Sequence, residues 1–155
     1  MQFLVCKDNE NMNKFFRKLF PRSGFSAAQK MLFSRIGLSV ERWVREKGFT
    51  KPLPTVGQVA ADIGIPADQL NVFVRISARK TVLAWRKDLR ILEARRLLVE
   101  YPELPVATVG ELVGIDDKSN FKRQFAEVVG MPPRMWREKQ LKRSPAASGT
   151  RPRGA

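Results

Sequence analysis

The sequence predicts an all-α fold, and three observations carry this prediction. Apolar residues recur every three to four positions along several segments, which is the spacing of one face of an α-helix. Proline and glycine, ten of each in 155 residues, fall largely between these segments and divide the chain into helix-length pieces. No segment shows the strict alternation of apolar and polar residues that is typical of a half-buried β-strand.

The first predicted helix runs from Met31 to Lys47, where apolar side chains recur at helical spacing. Gly48 offers a C-terminal stop, and the prolines that follow it mark a break. We treat residues 1–33 as an N-terminal extension with at most one short amphipathic helix, which would end before Pro21.

Two short helices and one long helix come next. Thr55 is suited to cap a helix that ends at Gly64, and a second helix is expected over about residues 66–77, with Pro66 in its first turn. The run from Val82 to Glu100 holds strong helix formers with neither proline nor glycine. We therefore expect one continuous connecting helix of close to 30 Å, at about 1.5 Å per residue.

A third group of helices is predicted over residues 106–113, 117–129 and 133–141, with Gly114 and Gly130 at the breaks. The total is about seven helices. The predicted organisation is an extension (1–33), a first subdomain with the connecting helix (34–101), a second subdomain (102–141) and a disordered basic tail (142–155).

An internal repeat explains this organisation. The apolar and small residues of the first short helix and its turn recur fifty positions later. The first copy is Val56, Val59, Ala60, Ile63, Gly64 and Ile65, and the second is Val106, Val109, Gly110, Val113, Gly114 and Ile115. Each copy predicts an apolar helix, a sharp glycine turn and a second helix, which is a helix-turn-helix unit.

The second helix of each unit has one predicted buried face and one free face. Leu70 and Val74 form the buried face in the first unit, and Phe121 and Phe125 form it in the second. The opposite face is free to enter a DNA major groove. Two such units on one cationic chain favour DNA binding over a helical bundle without a nucleic-acid partner.

Composition narrows the function further. The formal charge of +14, from 29 basic and 15 acidic residues, favours a polyanionic partner such as nucleic acid or anionic lipid. The chain has no histidine and one cysteine, Cys6, which argues against zinc sites, Cys-His or Ser-His nucleophiles and disulfides. The lone thiol fits the reducing cytoplasm, where we expect the protein to act. No apolar stretch is long enough to span a membrane.

We expect no catalysis and neither a metal nor a cofactor. The one adjacent pair of carboxylates, Asp116-Asp117, lies where a helix N-terminus favours negative charge, so we interpret it as a cap.

Residues from about Val56 to Leu141 resemble the DNA-binding region of AraC/XylS-type regulators. The match is strongest in the second unit, with Gly114-Ile115, Ser119-Asn120-Phe121-Lys122-Arg123-Gln124-Phe125, Gly130-Met131-Pro132-Pro133 and Trp136-Arg137. In the connecting helix, Trp85, Arg90-Ile91, Ala94 and Leu97-Leu98 fall where the family has its aromatic, Arg-Leu, Ala and Leu-Leu residues. The resemblance implies a sequence-specific transcriptional regulator of double-stranded DNA that activates through contact with RNA polymerase.

The expected mechanism places two recognition helices, about residues 66–77 and 117–129, in successive major grooves. Those grooves are about 34 Å apart, which is close to the length of the connecting helix. The expected groove-facing residues are Asp68, Asn71, Val72 and Arg75 in the first unit and Lys118, Ser119, Asn120, Lys122 and Arg123 in the second. Arg90 is interpreted as structural or phosphate-facing.

Two of these assignments have open alternatives. The first unit carries Val72 and Val74 where the family often has arginine and phenylalanine, so it either reads bases or only positions the protein. Arg123 either contacts the groove or clamps the backbone or an acidic neighbour.

The surroundings of this region also leave alternatives. Residues 1–33 are too short for a sensor domain, and no small-molecule effector site is evident. The chain is then a stand-alone regulator, the partner of a separate protein, or a fragment in which KFFRKLFPR would follow a membrane tether. A basic helical adaptor that docks on acidic protein or on a membrane surface is the rival interpretation.

Overall fold

The structure, a computed structural model, describes residues 26–143, and the regular elements in this range are all helices. The all-α prediction is confirmed. The described helices are α1 (Ala27–Arg45), a 3₁₀ turn (Gly48–Thr50), α2 (Val56–Ile63), α3 (Ala67–Ala78), α4 (Val82–Glu100), α5 (Val106–Leu112), α6 (Lys118–Val129) and α7 (Pro133–Arg143). Cys6, the helix predicted before Pro21 and residues 144–155 of the predicted tail lie outside the described residues. Lys142 and Arg143, which the sequence assigned to the tail, belong instead to the last turn of α7. Among residues 26–143, no helix combines the length and the apolar character that a membrane crossing requires.

Side-chain caps fix where several of these helices begin. The hydroxyl of Thr55 accepts from the backbone N–H of Gln58 at 3.2 Å, and the Gln58 side chain accepts from the N–H of Thr55 at 3.1 Å. This capping box confirms the predicted start of α2. Ser26 and Gln29 form the same arrangement, which is why α1 begins at Ala27 and not at Met31. Pro66 lies just before α3 as its N-cap.

The end of α1 differs from the prediction in an informative way. Lys47, and not Gly48, adopts the left-handed conformation, with φ of +56°. Gly48 is required for space, because a Cβ atom there would lie 2.1 Å from Nε1 of Trp43. The glycine therefore permits the Trp43 indole to pack over the 3₁₀ turn.

The chain divides into two compact units, with the boundary between Leu89 and Arg90, inside α4. The sequence placed this boundary after residue 101. The difference arises because the second half of α4 buries Ile91, Ala94 and Leu98 in the core of the second unit.

The core of the first unit is built on aromatic side chains. Trp43 of α1 stacks on Trp85 of α4, with ring centroids 5.9 Å apart. Phe33 of α1 packs on Phe73 of α3, with ring centroids 4.6 Å apart. Phe33 therefore belongs to the core of the first unit, although the sequence assigned it to the N-terminal extension. Leu70 and Val74 of α3 are fully buried beneath them, as predicted.

The core of the second unit is centred on α6. Phe121 and Phe125 are almost fully buried and meet edge to face, with ring centroids 5.9 Å apart. Val109 and Val113 pack against them from the α5 side. The predicted buried face of α6 is therefore confirmed.

Candidate nucleic-acid interface

The two helix-turn-helix units close their turns with the same hydrogen bonds. Gly64 and Gly114 both adopt a left-handed conformation, with φ of +84° and +83°. The N–H of Ile65 donates to the carbonyl of Ala60 at 3.0 Å, and the N–H of Ile115 donates to the carbonyl of Gly110 at 2.8 Å. This bond, five residues back along the chain, is typical of helix ends with a left-handed glycine. The sequence repeat thus encodes one turn geometry used twice.

The small residue in each repeat lies where the two helices approach. A Cβ atom at Gly110 would lie 3.0 Å from both the Ile115 carbonyl oxygen and Cγ of Phe121. The corresponding Ala60 is buried and accommodates its methyl group. A methyl group at Gly110 would therefore require the Ile115 backbone or the Phe121 ring to shift by a few tenths of an ångström.

The first candidate reading surface is the outer face of α3. Asp68, Asn71, Val72 and Arg75 are all exposed, and Val72 has 55% of its surface accessible to solvent. Val74, the second departure from the family pattern, is buried instead. Asp68 lies in the first turn of α3, where a negative charge interacts favourably with the helix dipole. The sequence-predicted set therefore shares one solvent-facing surface.

The second candidate reading surface is the outer face of α6. Lys118, Ser119, Lys122 and Arg123 are exposed, with the three cations on one short helix. Residues 102–141 carry six basic and six acidic side chains, so these cations form a local positive patch on a segment without net charge. Asp117 is the N-cap of α6, and its carboxylate accepts from the N–H of Asn120 at 2.5 Å. This confirms the predicted capping role for Asp117, the second residue of the acidic pair.

Asn120 differs from the other predicted residues because it is half-buried and already hydrogen-bonded. Its side-chain oxygen accepts from Nη2 of Arg123 at 2.8 Å and from Nε2 of Gln124 at 2.9 Å. An asparagine that reads adenine uses both its oxygen and its amide nitrogen. Asn120 would have to exchange these two bonds to do so.

Each unit also contains an arginine clamp. Arg86 is only 6% exposed, and its Nε donates to the carbonyl of Phe49 at 3.1 Å while its Nη atoms donate to the carbonyls of Lys51 and Leu53. Burial lowers the pKa of the Arg86 guanidinium from its usual value, but arginine starts so far above neutrality that it stays charged. The clamp fixes the loop that leads into α2.

Arg137 forms the matching clamp in the second unit. It donates to the carbonyls of Pro102 at 3.0 Å and of Leu104 at 2.6 Å, in the loop that leads into α5. The tryptophan before it, Trp136, packs beneath the guanidinium of Arg95, which lies 4.4 Å from the ring centroid. The sequence interpretation missed Arg86, although the Trp-Arg pair at 85–86 and 136–137 was the signal that could have identified it. Arg90, interpreted as structural or phosphate-facing, is half-buried in α4 and makes intramolecular contacts.

A charged cluster holds α2 to the first core. The Asp62 carboxylate accepts from Nε1 of Trp43 at 2.6 Å and from Nζ of Lys51 at 2.7 Å. The hydrogen bond from Lys51, followed by that from Trp43, lowers the pKa of Asp62 below its usual value. Within residues 26–143, acidic and cysteine side chains form no group of three that could hold a metal ion.

This cluster predicts a pH-dependent contribution to stability. Since the pKa of Asp62 is lower in the folded chain than in the unfolded chain, its contribution is present above the unfolded value of about 4 and is lost as the pH falls through the folded value. We expect Asp62→Asn to lower the free energy of unfolding by about 1 kcal/mol at pH 7. The effect is this small because the Asp62 side chain is 22% exposed and its Lys51 partner 53% exposed, so that water screens the ion pair. Urea denaturation at pH 7 and pH 3 measures both values. The prediction is contradicted if the difference in free energy of unfolding between wild type and variant is the same at pH 7 and at pH 3.

Comparisons with known proteins agree with this architecture. A family model described as a helix-turn-helix domain matches residues 59–139, just over half of the chain. The arabinose operon regulatory proteins of Salmonella typhimurium and Escherichia coli are each 35% identical over 82 residues, or 53% of this chain. That match spans only 29% and 28% of the length of those relatives. An uncharacterized HTH-type transcriptional regulator of Bacillus subtilis, YobQ, is 44% identical over 50 residues, which is 32% of this chain and 20% of the relative.

Two solved structures share the fold. The C-terminal domain of AraT, a response regulator from Geobacillus stearothermophilus, superposes with a TM-score of 0.61 at 20% identity, covering 77% of this chain and 98% of that one. A protein of unknown function from Listeria innocua gives a TM-score of 0.55 at 19% identity, covering 66% of this chain and 94% of its own.

Proposed function

The chain belongs to the AraC/XylS-type helix-turn-helix family, and from this premise we propose that it binds specific double-stranded DNA sequences and regulates transcription. One observation carries the proposal. Both units bury the apolar face of their second helix behind the same glycine turn, and both leave a polar outer face open to solvent. That combination is what a helix needs to read a major groove.

We propose that α3 and α6 enter successive major grooves on one side of the duplex. The 19 residues of α4 correspond to about 28 Å at about 1.5 Å per residue, against a groove repeat of about 34 Å. The bound site would then be asymmetric and cover roughly two helical turns. Inserting five base pairs between the two contacted segments would rotate one segment to the opposite face and abolish tight binding.

Base contacts are proposed from the exposed side chains. On α6, Lys118, Lys122 and Arg123 would donate to guanine or phosphate. The Ser119 hydroxyl could pair with either a donor or an acceptor on a base edge, because it can both accept and donate. On α3, Asn71 would read adenine, Asp68 would accept from a cytosine amine, and Val72 would touch a thymine methyl group. Arg75 completes that surface as a cation beside the groove.

The experiment that tests the proposal starts with selection of a binding site from randomised duplexes, followed by anisotropy titrations at several salt concentrations. The affinity should fall steeply as salt rises, because neutralised phosphates release counterions. A selected duplex that binds no better than a random one contradicts sequence specificity.

Arg123 provides a sharper prediction within that experiment. If it reads a base, Arg123→Ala weakens binding to the selected site by about 5- to 150-fold, since one bidentate contact contributes about 1–3 kcal/mol. If it binds only phosphate, affinity falls equally on all duplexes and the salt slope drops by about one. The control is Arg96→Ala, since Arg96 is exposed on α4 but pairs with Glu93 and Glu100. If the Arg123→Ala variant binds the selected duplex as tightly as wild type does, the Arg123 side chain does not contact DNA.

Activation is the proposed regulatory outcome, through contact with RNA polymerase. In vitro transcription from a promoter with the selected site upstream distinguishes it from repression.

A further inference from the structure

A groove of about 680 Å³ lies beside α1 in the first unit, apart from the proposed reading face of α3. Arg35, Leu38 and Arg42 line it from α1, and Ile65 and Gln69 line it from the turn and from the start of α3. None of Asp68, Asn71, Val72 and Arg75 contributes to it. No carboxylate stands among its lining residues in the part of the chain that the structure describes.

The outer face of α1 combines exposed apolar and cationic side chains in one stripe. Met31, Arg35, Leu38, Arg42 and Arg45 follow each other at alternating spacings of four and three residues, which places them on one side of the helix. Met31 and Leu38 are 69% and 64% exposed, although α1 already buries its opposite side in the core. Apolar anchors at this spacing are typical of a surface that receives a second helix.

Charge decides what kind of helix fits. Arg35, Arg42 and Arg45 form no ion pair with any acidic side chain of residues 26–143. A second copy of the same stripe would bring like charges together. Residues 1–25 carry five basic against two acidic side chains, and residues 144–155 carry two basic and no acidic ones, so neither terminal segment of this chain is complementary.

We infer that this groove is a docking site for an acidic amphipathic helix of a partner protein. Apolar side chains of that helix would cover Leu38 and Met31, and its carboxylates would pair with Arg35, Arg42 and Arg45. The interval from Arg35 to Arg45 corresponds to about 15 Å, or about three turns of a bound helix. Phosphate groups of DNA would satisfy the cations but would leave the apolar half of the stripe without a partner, which favours the peptide.

The test uses the full chain and a labelled synthetic 18-residue helical peptide with leucines on one face and glutamates beside them. Fluorescence anisotropy should show saturable binding, and Arg35→Glu/Arg42→Glu should weaken it by at least about tenfold, equivalent to about 1.4 kcal/mol. Arg35→Gln/Arg42→Gln should weaken it to a smaller extent, and circular dichroism confirms that both variants fold. The matched control, Lys139→Glu/Lys142→Glu, makes the same change of charge on exposed residues of α7 and should leave binding unchanged.

Two further peptides make the result specific. A peptide with lysine in place of glutamate should bind the Arg35→Glu/Arg42→Glu variant more tightly than it binds the wild type. A scrambled peptide of equal charge without an apolar face should bind at least about tenfold more weakly. Equal binding of the scrambled peptide, or no saturable binding of the acidic helix, overturns the inference. Parallel loss of affinity for selected duplex DNA and for the peptide in the variant also overturns it, because the groove would then be a phosphate site.

Discussion

Arg86→Met is expected to lower the free energy of unfolding by about 3 kcal/mol. The guanidinium donates hydrogen bonds to the backbone carbonyls of Phe49, Lys51 and Leu53. Between the 3₁₀ turn and α2 this loop has no regular structure of its own. Each carbonyl left without its donor costs about 1 kcal/mol or more. Methionine retains much of the aliphatic stem, so the change isolates the hydrogen bonds from the packing of the side chain.

Urea denaturation followed by circular dichroism measures this effect, and Arg96→Met is the control on the same helix. Arg96 is exposed and pairs with Glu93 and Glu100 on the surface, so its loss should cost less than about 1 kcal/mol. If the two variants are destabilised equally, the clamp does not contribute as proposed.

The second large effect is expected for Gly48→Ala, at about 3 kcal/mol. A Cβ atom at this position would lie 2.1 Å from Nε1 and 2.4 Å from Cδ1 of Trp43, so the indole must move. Trp43 stacks on Trp85 and donates to Asp62, which means that a displacement disturbs both contacts. Overpacking of this kind costs about 1–3 kcal/mol or more.

The matched control is Gly57→Ala, the same chemical change in a helix with open space around it. The nearest atom to a Cβ at Gly57 is the Thr55 hydroxyl oxygen, at 4.0 Å. Because alanine favours a helix over glycine, this variant should be more stable than wild type by about 0.5–1 kcal/mol. A Gly48→Ala protein that melts at the wild-type temperature would show that the Trp43 pocket adapts freely.

Much of the fold could be predicted because the residues that start and stop its helices are neighbours in the sequence. The bounds of α4 and α6 agree with the prediction or differ by one residue, since prolines, glycines and capping side chains lie next to the helix ends that they define. The repeat predicted the paired turns, because Gly64 and Gly114 must adopt the left-handed conformation. Contacts between distant residues were not predictable in this way. The three carbonyls held by Arg86 lie 33 to 37 positions earlier in the chain.

The candidate reading surfaces were predictable for the same reason, with one exception. Helical periodicity identifies the exposed face of α3 from the buried positions Leu70 and Val74 alone. Asn120 departs from its expected exposure because Arg123 and Gln124, three and four residues later, reach back to its side-chain oxygen. Such side-chain pairing depends on rotamers, which the spacing of apolar residues does not specify.

The paired clamps set rules for recombining the two units. Each loop before a helix-turn-helix is held by the arginine of a Trp-Arg pair 33 to 37 positions downstream, so the loop and its anchor act as one unit. A chimera that exchanges α2 and α3 for the helices of another family member must carry its own lead-in loop and its own downstream arginine. Crossover points inside residues 49–86 would join a loop to a foreign anchor, whereas a crossover just after Leu89 leaves both anchors with their native loops.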